Sequence, residues 1–541
     1  MNLFERILAA RGLTGVARTA FLMPDYGLMH DPFLLPDMEN AVKRLMQARK
    51  NQEHVTIYGD YDIDGLTATT VLLDAFGSFG FDHVEAFIPN RFVEGYGLTI
   101  DAIEKIAASG ATLIITVDCG SLSHKEITRA NELGVNVIVT DHHNVASTPP
   151  PAVATINPKR SDHSYPFIDL AGVGVAFKLV QALQTRLDGM SDGQEKWLLD
   201  LVALGTVCDV VTLVDENRLF VHYGLKVLAQ TRRPGLKALM AVASVTPDNL
   251  TTRSLGFALG PRMNAAGRLE TAQHALDMLR SKEGMVALEA AQQLDNMNLN
   301  RRADQDKIFK AAVAQAETYK DDNVLVVSHP DWNHGIVGIV AAKLLEKYHK
   351  PTYVLQEMGE ETKGSARSYG DFSAADAIRA ADDIITKGGG HKLAAGVTMP
   401  TKSIEEFRQR VNEFYKSQKL FNQQELLLPA ADADAELAEV TEELIELMAA
   451  LEPFGNGNPQ PILKTNNLLV KHVRRMGADG QHVKLELQDD KGARMQFIAF
   501  SAPDHFFVES GERVSIWFQP DINEWQGRRT IEGRLLHLEI A

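Results

Sequence analysis

Acidic side chains that directly follow short apolar segments are the residues of this sequence best suited to chemistry. The segment Val55–Gly59 runs into three aspartates at alternate positions. Later apolar segments run into a single aspartate, an Asp-His-His triplet and a last aspartate. Carboxylates combined with imidazole suit Mn²⁺ or Mg²⁺ better than a metal that prefers thiolates. We therefore predict a catalytic metal site from these side chains: Asp60, Asp62, Asp64, Asp118, Asp141, His142, His143 and Asp209.

The chemistry of such a site is phosphoryl transfer. Two divalent ions, Mn²⁺ or Mg²⁺, that lie about 3.5–4 Å apart and share a carboxylate activate water and stabilise the transferring oxygens. The competing interpretation for any single aspartate is a helix N-cap or a turn, which is common after a strand. It does not account for four acidic clusters and a histidine pair, because so many carboxylates in one place require compensating charge.

A parallel sheet is the element that could bring these residues together. Short β-branched segments alternate with helical segments from residue 51 onward, which is typical of βαβ units and an α/β fold. The carboxyl ends of parallel strands lie along one edge, where ligands bind. A helical stretch, Gly172–Arg186 and then Glu195–Leu204, is predicted to run up to Asp209. We also expect the apolar segment 201–207, before Asp209, to reach the same edge as a fourth such strand end. The other predicted strands are Val55–Gly59, Val84–Pro89, Thr112–Val117, Val135–Thr140 and Ala152–Asn157.

The remaining sequence predicts a second lobe and an all-β end. Residues 285–319 contain neither Gly nor Pro and predict one long helix, on the order of 50 Å, between two lobes. A second βα pattern follows and includes a glycine-rich turn, Gly388–Gly396. Residues 462–541 alternate between short strands and turns, which favours a small five-stranded barrel.

Composition excludes several classes of protein. The chain has 541 residues, 45% hydrophobic and 23% charged, values typical of a globular protein with several domains. Two cysteines exclude a disulfide framework and a Cys-based zinc site. No apolar run of about 18 residues occurs, so we expect a cytoplasmic protein without a membrane span. The net charge of −16 does not exclude nucleic acid, because residues 421–455 alone hold nine acidic residues and no Lys or Arg.

The same residues resemble the motifs of a known family. YGDYDIDG, VDCG, DHH and the later Asp209 match the four motifs of the DHH phosphoesterases, and GGGHKLAAG matches the signature of their DHHA1 domain. With GPRMNAAGRLE, WNHGIVGIVAAKL and LEPFGNGNPQP, the order and spacing resemble the RecJ family of bacterial single-strand-specific DNA exonucleases. The resemblance covers the chain from about Leu28 to its end.

The resemblance implies two α/β lobes, DHH and DHHA1, joined by a long helix across a groove, and a carboxy-terminal OB-fold. It implies Mn²⁺- or Mg²⁺-dependent 5′→3′ hydrolysis of single-stranded DNA to mononucleotides, in recombination and repair. The implied metal ligands are Asp62, Asp64, Asp118, His142 and Asp209, with Asp118 between the ions. Some members have a ligand histidine where this chain has Tyr58, and we infer that Asp60 replaces it. Asp141 and His143 are expected to support the ligands or face the phosphate.

Digestion from a 5′ end also requires groups that bind phosphate. Guanidinium forks and successive glycine amides suit phosphate oxygens. The predicted contacts to phosphate or DNA are Arg91, Arg262, Asn264, Arg268, His334, Ser365, Arg367, Gly389, Gly390 and His391. Four alternatives stay open: surface ion pairs for Arg91 and Arg367, a tight loop for the glycines, a structured interlobe loop for Gly260–Glu270 and a capping role for His334. The expected partners are single-stranded DNA and, from the family, single-strand-binding protein and a helicase. We expect a monomer.

The predicted domains are an N-terminal helical segment (1–50), a DHH catalytic domain (51–215), a helical connector (216–320), a DHHA1 domain (321–420) and an OB-fold (430–541). Two other functions stay open: a DHH phosphodiesterase of short oligonucleotides or cyclic dinucleotides, and an inactive DHH scaffold in a replication complex. The length and the all-β end favour the exonuclease over the first. The full set of aspartates and histidines favours an enzyme over the second.

Overall fold

The computed structural model describes residues 1–418, 428–525 and 527–541. Its α-helices are α1 (Leu3–Ala10), α2 (Gly15–Leu22), α3 (Met38–Lys50), α4 (Ile63–Phe79), α5 (Ile100–Ala108), α6 (His124–Glu132), α7 (Gly172–Gln184), α8 (Leu199–Cys208), α9 (Asp215–Ala229), α10 (Pro234–Val242), α11 (Thr252–Ser254), α12 (Gly260–Leu269), α13 (Gln273–Arg280), α14 (Gly284–Thr318), α15 (Val337–Tyr348), α16 (Ala374–Arg379), α17 (Ile404–Ser417) and α18 (Glu442–Ala449).

The strands fall into three sheets. They are β1 (Val55–Gly59), β2 (Val84–Phe87), β3 (Leu113–Val117), β4 (Asn136–Thr140), β5 (Ala154–Ile156), β6 (Leu325–His329), β7 (Thr352–Met358), β8 (Glu361–Arg367), β9 (Lys387–Gly390), β10 (Ala394–Pro400), β11 (Ala433–Asp434), β12 (Leu463–Met476), β13 (His482–Gln488), β14 (Arg494–Ala499), β15 (Arg513–Trp525) and β16 (Arg528–Ile540).

The first sheet is parallel, with the strand order β2-β1-β3-β4-β5, and it confirms the predicted α/β fold. Alternate residues of one strand pack into hydrophobic cores on opposite faces of the sheet. In β3, Ile115 packs with α3, α4 and α7, whereas Ile114 packs with α5 and α6 on the opposite face. This period of two in a sheet covered on both faces explains why every residue of β1 and β3 is buried and why neither strand contains a charged side chain. The carboxyl ends of β1, β3 and β4 share one edge.

The segment before Asp209 is helix α8, which confirms the predicted helical stretch at Glu195–Leu204. The prediction of a fourth strand end at 201–207 is wrong. Residues 199–206 of α8 are all buried. A short run that is apolar on every side does not distinguish a buried helix from a buried strand. The helix packs against α4 and α9, and its C-terminus delivers Asp209 to the same edge that the strands reach.

The long helix α14 connects two lobes, as predicted from residues 285–319. Its first half packs in the core of the catalytic lobe through Ala291 and Leu294. Its second half packs in the core of the second lobe through Ile308 and Ala312. Between the lobes, α11 and α12 are joined by a π-helical turn, Leu255–Leu259, into one continuous helical segment. The alternative of an interlobe loop at Gly260–Glu270 is therefore wrong.

The second lobe is built on a mixed sheet with the strand order β6-β7-β8-β10-β9. Strands β6 and β7 are parallel, and the other pairs are antiparallel. Most of the predicted turn Gly388–Gly396 belongs to the hairpin of β9 and β10. Glycines without a side chain to pack are tolerated in β9 because this strand forms the edge of the sheet.

The carboxy-terminal domain is the predicted barrel. Five strands close in the order β12-β13-β14-β16-β15, because β15 also pairs with β12. Helix α1 contributes Leu3, Phe4, Ile7 and Leu8 to the core of this barrel, so the first helix of the chain packs with its last domain. Among the residues with described structure, no helix is both long and apolar enough to span a bilayer.

Candidate metal centre and nucleic-acid groove

The loop after β1 places aspartates whose orientation is fixed by backbone N–H groups. Asp62 accepts hydrogen bonds from the N–H groups of Asp64 (2.9 Å) and Gly65 (3.2 Å), so it also caps α4. Asp64 accepts from the N–H groups of Gly172 (2.6 Å) and Val173 (2.8 Å) at the start of α7. The N-cap interpretation and the ligand interpretation therefore both apply to Asp62, since each carboxylate oxygen has more than one lone pair.

Asp118 follows β3 and lies at the centre of the cluster. It is 2% exposed, and its backbone has φ of +62°, a left-handed conformation that is uncommon for a residue other than glycine. Its Oδ1 lies 3.1 Å from Nε2 of His142 and 3.7 Å from Nδ1 of His143. Within the described residues this oxygen makes no hydrogen bond. A buried carboxylate oxygen without a partner is costly, and a cation would satisfy it.

His142 links the strand-end aspartates to the one carried by α8. Its Nε2 lies 3.5 Å from Oδ2 of Asp209 and 3.7 Å from Oδ2 of Asp64. Neither Nε2 of His142 nor Oδ2 of Asp209 has a hydrogen-bond partner in the described part of the chain, although both atoms are buried. Together with Asp118, three unpartnered ligand atoms thus converge on one small volume.

Three overlapping triplets have ligand atoms within 4.8 Å of one another. They are Asp60–Asp62–Asp118, Asp64–His142–Asp209 and Asp118–His142–His143. Asp118 belongs to two triplets, which is the arrangement expected when neighbouring ions share a carboxylate. His142 also belongs to two, but its Nε2 has one lone pair and binds one ion. Oxygen and imidazole ligands without thiolate fit Mn²⁺ or Mg²⁺. The residues present therefore fit a centre for divalent cations.

Asp60, and not Tyr58, stands beside the proposed ligands. Oδ1 of Asp60 is buried and has no hydrogen-bond partner among the described residues. The hydroxyl of Tyr58 instead donates to the backbone carbonyl of Gly97 at 3.0 Å, and its ring stacks on Phe87. Tyr58 is thus a structural residue of the lobe, and the inferred replacement by Asp60 stays a prediction with a geometric basis.

The electrostatics of the cluster favour a bound cation. Burial, and then the charge of Asp62, raise the pKa of Asp64 to about 7. Burial and the charges of Asp64 and Asp62 raise the pKa of Asp209 to about 9. Burial and the same kind of repulsion raise the pKa of Asp118 and of Asp60 well above the ordinary range. Burial, followed by the charge of neighbouring His143, lowers the pKa of His142 to about 3. Divalent cations would remove this repulsion, and neutral imidazole is the form that binds a metal.

Asp141 orients the second histidine of the triplet. It accepts from the N–H groups of Ser121 (2.9 Å), His142 (2.7 Å) and His143 (3.0 Å). It also pairs with the ring Nδ1 of His143 at 2.9 Å. Although burial acts in the opposite direction, these bonds and the charge of His143 lower the pKa of Asp141. Burial disfavours the charged His143, but the bond to Asp141 outweighs it and raises the pKa of His143.

Arginines form the wall of the groove beside this cluster. Burial, and then the nearby charges of Arg91, Arg301 and Arg367, lower the pKa of Arg268 to about 10. No ion pair involving any of these four arginines is found in the described residues. The guanidinium of Arg91 lies 4.3 Å from the ring centre of Tyr61. Arg301 donates to Oε1 of Gln305 and Oδ1 of Asn298. None of the four has a carboxylate partner among the described residues, and uncompensated positive charge of this kind favours a bound anion.

The residues predicted from Gly260–Glu270 differ in their surroundings. Arg262 is held in an ion pair with Asp295 at 2.8 Å and donates to the carbonyl of Ala258. Asn264 and Arg268 line a cavity of about 770 Å³ between α8, α12, α14 and residues 452–460. The structure therefore places Asn264 and Arg268 in the lining of this cavity, whereas the head group of Arg262 is already engaged.

His334 lies where the two lobes meet. Its backbone N–H and its ring Nδ1 each contact Oε1 of Gln356 at 2.9 Å, which fixes the ring. Its ring packs edge-on against Phe92 of the catalytic lobe, with ring centres 5.0 Å apart. Helix α15 begins three residues later, so the alternative of a capping role is not supported by this geometry.

The other residues predicted in the second lobe fall into two places. Ser365 and Arg367 lie on β8 next to α15, where Gly338 leaves room for them: a Cβ there would be 3.3 Å from Nη2 of Arg367. Gly389 and Gly390 belong to the edge strand β9, and His391 is exposed in the hairpin turn. The structure thus brings Arg367 to the arginine wall and leaves the glycines on the rim of the second lobe.

Three contributors to the site were missed from the sequence. The hydroxyl of Tyr96 lies 3.2 Å from both ring nitrogens of His143. Arg301 reaches the cavity from α14. Gly172 supplies the N–H that orients Asp64. Tyr96 lies in the same loop as the predicted Arg91, and this proximity in sequence could have identified it. Arg301 is one charged residue in a polar helix, and Gly172 acts through its backbone, so neither gave a signal.

Comparison with family models matches three parts of the chain. The DHH family, N-terminal domain, matches residues 54–206, the DHHA1 domain matches residues 321–417, and the RecJ OB domain matches residues 431–537. The single-stranded-DNA-specific exonuclease RecJ of Bacillus subtilis (strain 168) is 37% identical over 535 residues, which cover 97% of this chain and 66% of that protein. The protein of the same name from Escherichia coli (strain K12) is 35% identical over 521 residues, covering 92% and 89%.

Solved structures agree with the sequence relatives. RecJ from Thermus thermophilus in complex with Mn²⁺ superposes with a TM-score of 0.84 at 28% identity, covering 99% of this chain and 78% of that one. The complex of the same protein with Mg²⁺ gives a TM-score of 0.78 at 27% identity, covering 99% and 76%. These two ions are those that the ligand set favours. Fold, domain models and sequence identity together establish that the chain belongs to the RecJ family of single-stranded-DNA-specific exonucleases.

Proposed function

We propose that this protein is a metal-dependent exonuclease that hydrolyses single-stranded DNA from the 5′ end to 5′-mononucleotides, in recombination and repair. The observation that carries the proposal is the convergence of unpartnered, buried ligand atoms of Asp118, His142 and Asp209 at one sheet edge. An unpaired arginine wall stands beside them. A polyanion with a hydrolysable phosphodiester bond complements both features.

The carboxylates and His142 are the residues that would bind the metal ions. Two divalent cations bound there would supply Lewis acidity and a water of lowered pKa. Asp62, Asp64, Asp118, His142 and Asp209 are the ligands we propose, with Asp60 as a further one and Asp118 shared. The backbone N–H bonds to Asp62 and Asp64 keep these groups in place before substrate binds, so little reorganisation is needed.

His143 is the group we place against the scissile phosphate. Its bond to Asp141 favours the protonated ring, which can donate a hydrogen bond to a phosphate oxygen or a proton to the leaving oxygen. Tyr96 limits the rotation of the ring from the other side. Asp141 therefore acts on the reaction through His143.

The arginine wall binds the backbone of the strand. Arg91, Arg268 and Arg367 offer donors without competing carboxylates. Arg301 adds positive charge, but its terminal nitrogens donate to Gln305 and Asn298. We propose that Arg91, Arg367 and Ser365 contact the terminal phosphates, and that Gly389, Gly390 and His391 close the rim on that side. Contacts to phosphate carry no base specificity, so digestion should be insensitive to sequence.

The test is a single-stranded oligonucleotide of about 30 nucleotides, several times the site of one OB fold, labelled at either end. With Mn²⁺, the 5′ label should be released as a mononucleotide while the 3′-labelled strand shortens progressively. EDTA and Asp118→Ala should each abolish release. Asp101→Ala, an exposed aspartate at the start of α5, is the control that should keep full activity.

Other outcomes of this test separate the alternatives. Survival of the long strand together with cleavage of dinucleotides would replace the proposal with a phosphodiesterase of short oligonucleotides. Binding of the strand without cleavage in either metal would replace it with a scaffold. Loss of the 3′ label first would overturn the polarity.

We further propose, from family membership, that the protein works as a cytoplasmic monomer and meets single-stranded DNA in company with single-strand-binding protein and a helicase. Light scattering in solution tests the monomer, and binding of purified partners tests the associations. The domain divisions at about residues 50, 215, 320 and 430 are proposals of the same kind, which limited proteolysis tests.

A further inference from the structure

The turn 453–459 of the carboxy-terminal domain is hydrogen-bonded to the segment that follows Asp209. The side-chain Nδ2 of Asn456 donates to the carbonyl of Val210 at 2.9 Å. The backbone N–H of Leu213 donates to the carbonyl of Asn456 at 2.7 Å. A Cβ on Gly455 would lie 2.6 Å from Cδ1 of Leu213, so a larger residue there would require the side chain of Leu213 to move. The turn thus contacts the residues that immediately follow a proposed metal ligand.

Val210 is held in an unfavourable backbone conformation. Helix α8 ends at Cys208 with Asp209 as its C-cap, and Val210 follows with φ of +61°. Helices commonly end with a residue in this left-handed conformation, but that residue is usually glycine. In a β-branched residue the conformation is strained, and it persists only where surrounding contacts enforce it. The side chain of Val210 is 66% exposed, so packing of that side chain does not enforce it.

The turn itself is held rigidly in its own domain. Nδ2 of Asn458 donates to the carbonyls of Leu451 and Pro453, each at 2.9 Å. Nη1 of Arg11 donates to Oδ1 of Asn458 at 3.0 Å. Asn456 is therefore presented to Val210 by a fixed support, which is a requirement for a group that positions another.

We propose that Asn456 is a positioning residue for the metal centre: its hydrogen bond to the carbonyl of Val210 maintains the strained end of α8 and thereby the orientation of the Asp209 carboxylate. Oδ2 of Asp209 is buried 3.5 Å from Nε2 of His142, so a change in the backbone conformation of Val210 moves a ligand atom. The carboxy-terminal domain then contributes to metal affinity. The inference rests on the proposed function, because it takes Asp209 as a ligand.

The experiment measures binding of Mn²⁺ alone to the full chain by isothermal titration calorimetry. Asn456→Ala should raise the Kd for Mn²⁺ at least fivefold. Val210→Gly should stay within twofold of the unmodified protein, because glycine adopts the left-handed conformation without strain. The double variant should also return to within twofold, since glycine no longer needs the hydrogen bond. Recovery in the double variant is an effect that a merely structural role for Asn456 does not produce.

A matched control separates positioning from domain docking. Oγ1 of Thr252 donates to the carbonyl of Phe454 at 2.6 Å, a second bond from the catalytic part of the chain to the same turn. Thr252→Val removes this bond and should leave the Kd within twofold. Asn456→Leu, similar in shape but without a donor, serves if the alanine variant does not fold.

The inference is overturned if both Asn456 variants bind Mn²⁺ within twofold of the unmodified protein, if Thr252→Val weakens binding equally, or if Val210→Gly fails to restore it. Asp209→Ala distinguishes these failures from a failure of the proposed function. If Asp209→Ala leaves the Kd unchanged, Asp209 is not a ligand and the proposed ligand set fails. If Asp209→Ala weakens binding but the Asn456 variants do not, only the positioning role fails.

Discussion

A single methyl group added at Gly172 should disable the metal centre while leaving the fold intact. A Cβ at this position would lie 2.7 Å from Cβ of Asp118 and 2.8 Å from its Oδ1. Carbon atoms in contact prefer a separation of about 3.5 Å or more, so one group must move by roughly 0.8 Å. The backbone of Asp118 is already in a left-handed conformation, and the N–H of Gly172 is bonded to Asp64. The displacement therefore falls on two proposed ligands.

The expected size follows from this displacement. Overpacking in a core costs about 1–3 kcal/mol, which a chain with several cores tolerates. A misplacement of about 1 Å at catalytic groups costs on the order of 10²-fold in rate. Gly172→Ala should thus lower kcat by about 10- to 100-fold and weaken Mn²⁺ binding, with a small change in Tm.

Gly174→Ala is the matched control, because a Cβ there meets its nearest atoms at 3.5 Å, an ordinary contact. The assay is release of 5′-labelled nucleotide from single-stranded DNA, with thermal unfolding recorded for both variants. The account of how Asp118 is held would be refuted if Gly172→Ala kept activity within threefold. It would also be refuted if both glycine variants lost activity equally.

Three further results are expected. Lys178→Met should cost about 3–5 kcal/mol of unfolding free energy in urea, because it leaves Glu216 buried without its partner at 2.8 Å; both side chains are 0% exposed. Burial and the charge of Lys226 lower the pKa of His222 to about 4, below its ordinary 6.5. The contribution of His222 to stability is therefore full above pH 6.5 and is lost as the pH falls towards 4. His222→Gln should flatten that part of a titration of the unfolding free energy with acid. Mn²⁺ at 100 times its Kd should stabilise the protein by about 2.7 kcal/mol, and EDTA should reverse the shift in Tm; an unchanged Tm would contradict a preformed cation site.

Much of the catalytic lobe could be predicted because its elements are locally encoded. Strands β1, β3 and β4 are short β-branched runs that each end at an acidic residue, and the rule that carboxyl ends share an edge places those residues together. Helix α14 is equally clear from the absence of Gly and Pro. Both predictions rest on periodicity and composition alone.

The parts that could not be predicted depend on tertiary contacts. Buried on all sides, α8 has no amphipathic pattern, so its residues 201–207 also fit a buried strand, although the stretch Glu195–Leu204 is predicted as helix. Whether Arg262 is free or paired depends on Asp295, which lies 33 positions away in sequence. The position of Arg301 in the wall depends on how α14 crosses the groove. No local pattern in the sequence indicates any of these three features.

The central claim is that the carboxylates and His142 at this sheet edge hold divalent cations for phosphodiester hydrolysis. Anomalous diffraction at the manganese edge, from crystals of the protein grown with Mn²⁺, tests it most directly. The account predicts two peaks about 3.5–4 Å apart, both within ligand distance of Asp118, with Asp209 and His142 on one of them. Peaks elsewhere in the protein, or an unoccupied cluster at saturating Mn²⁺, would contradict it.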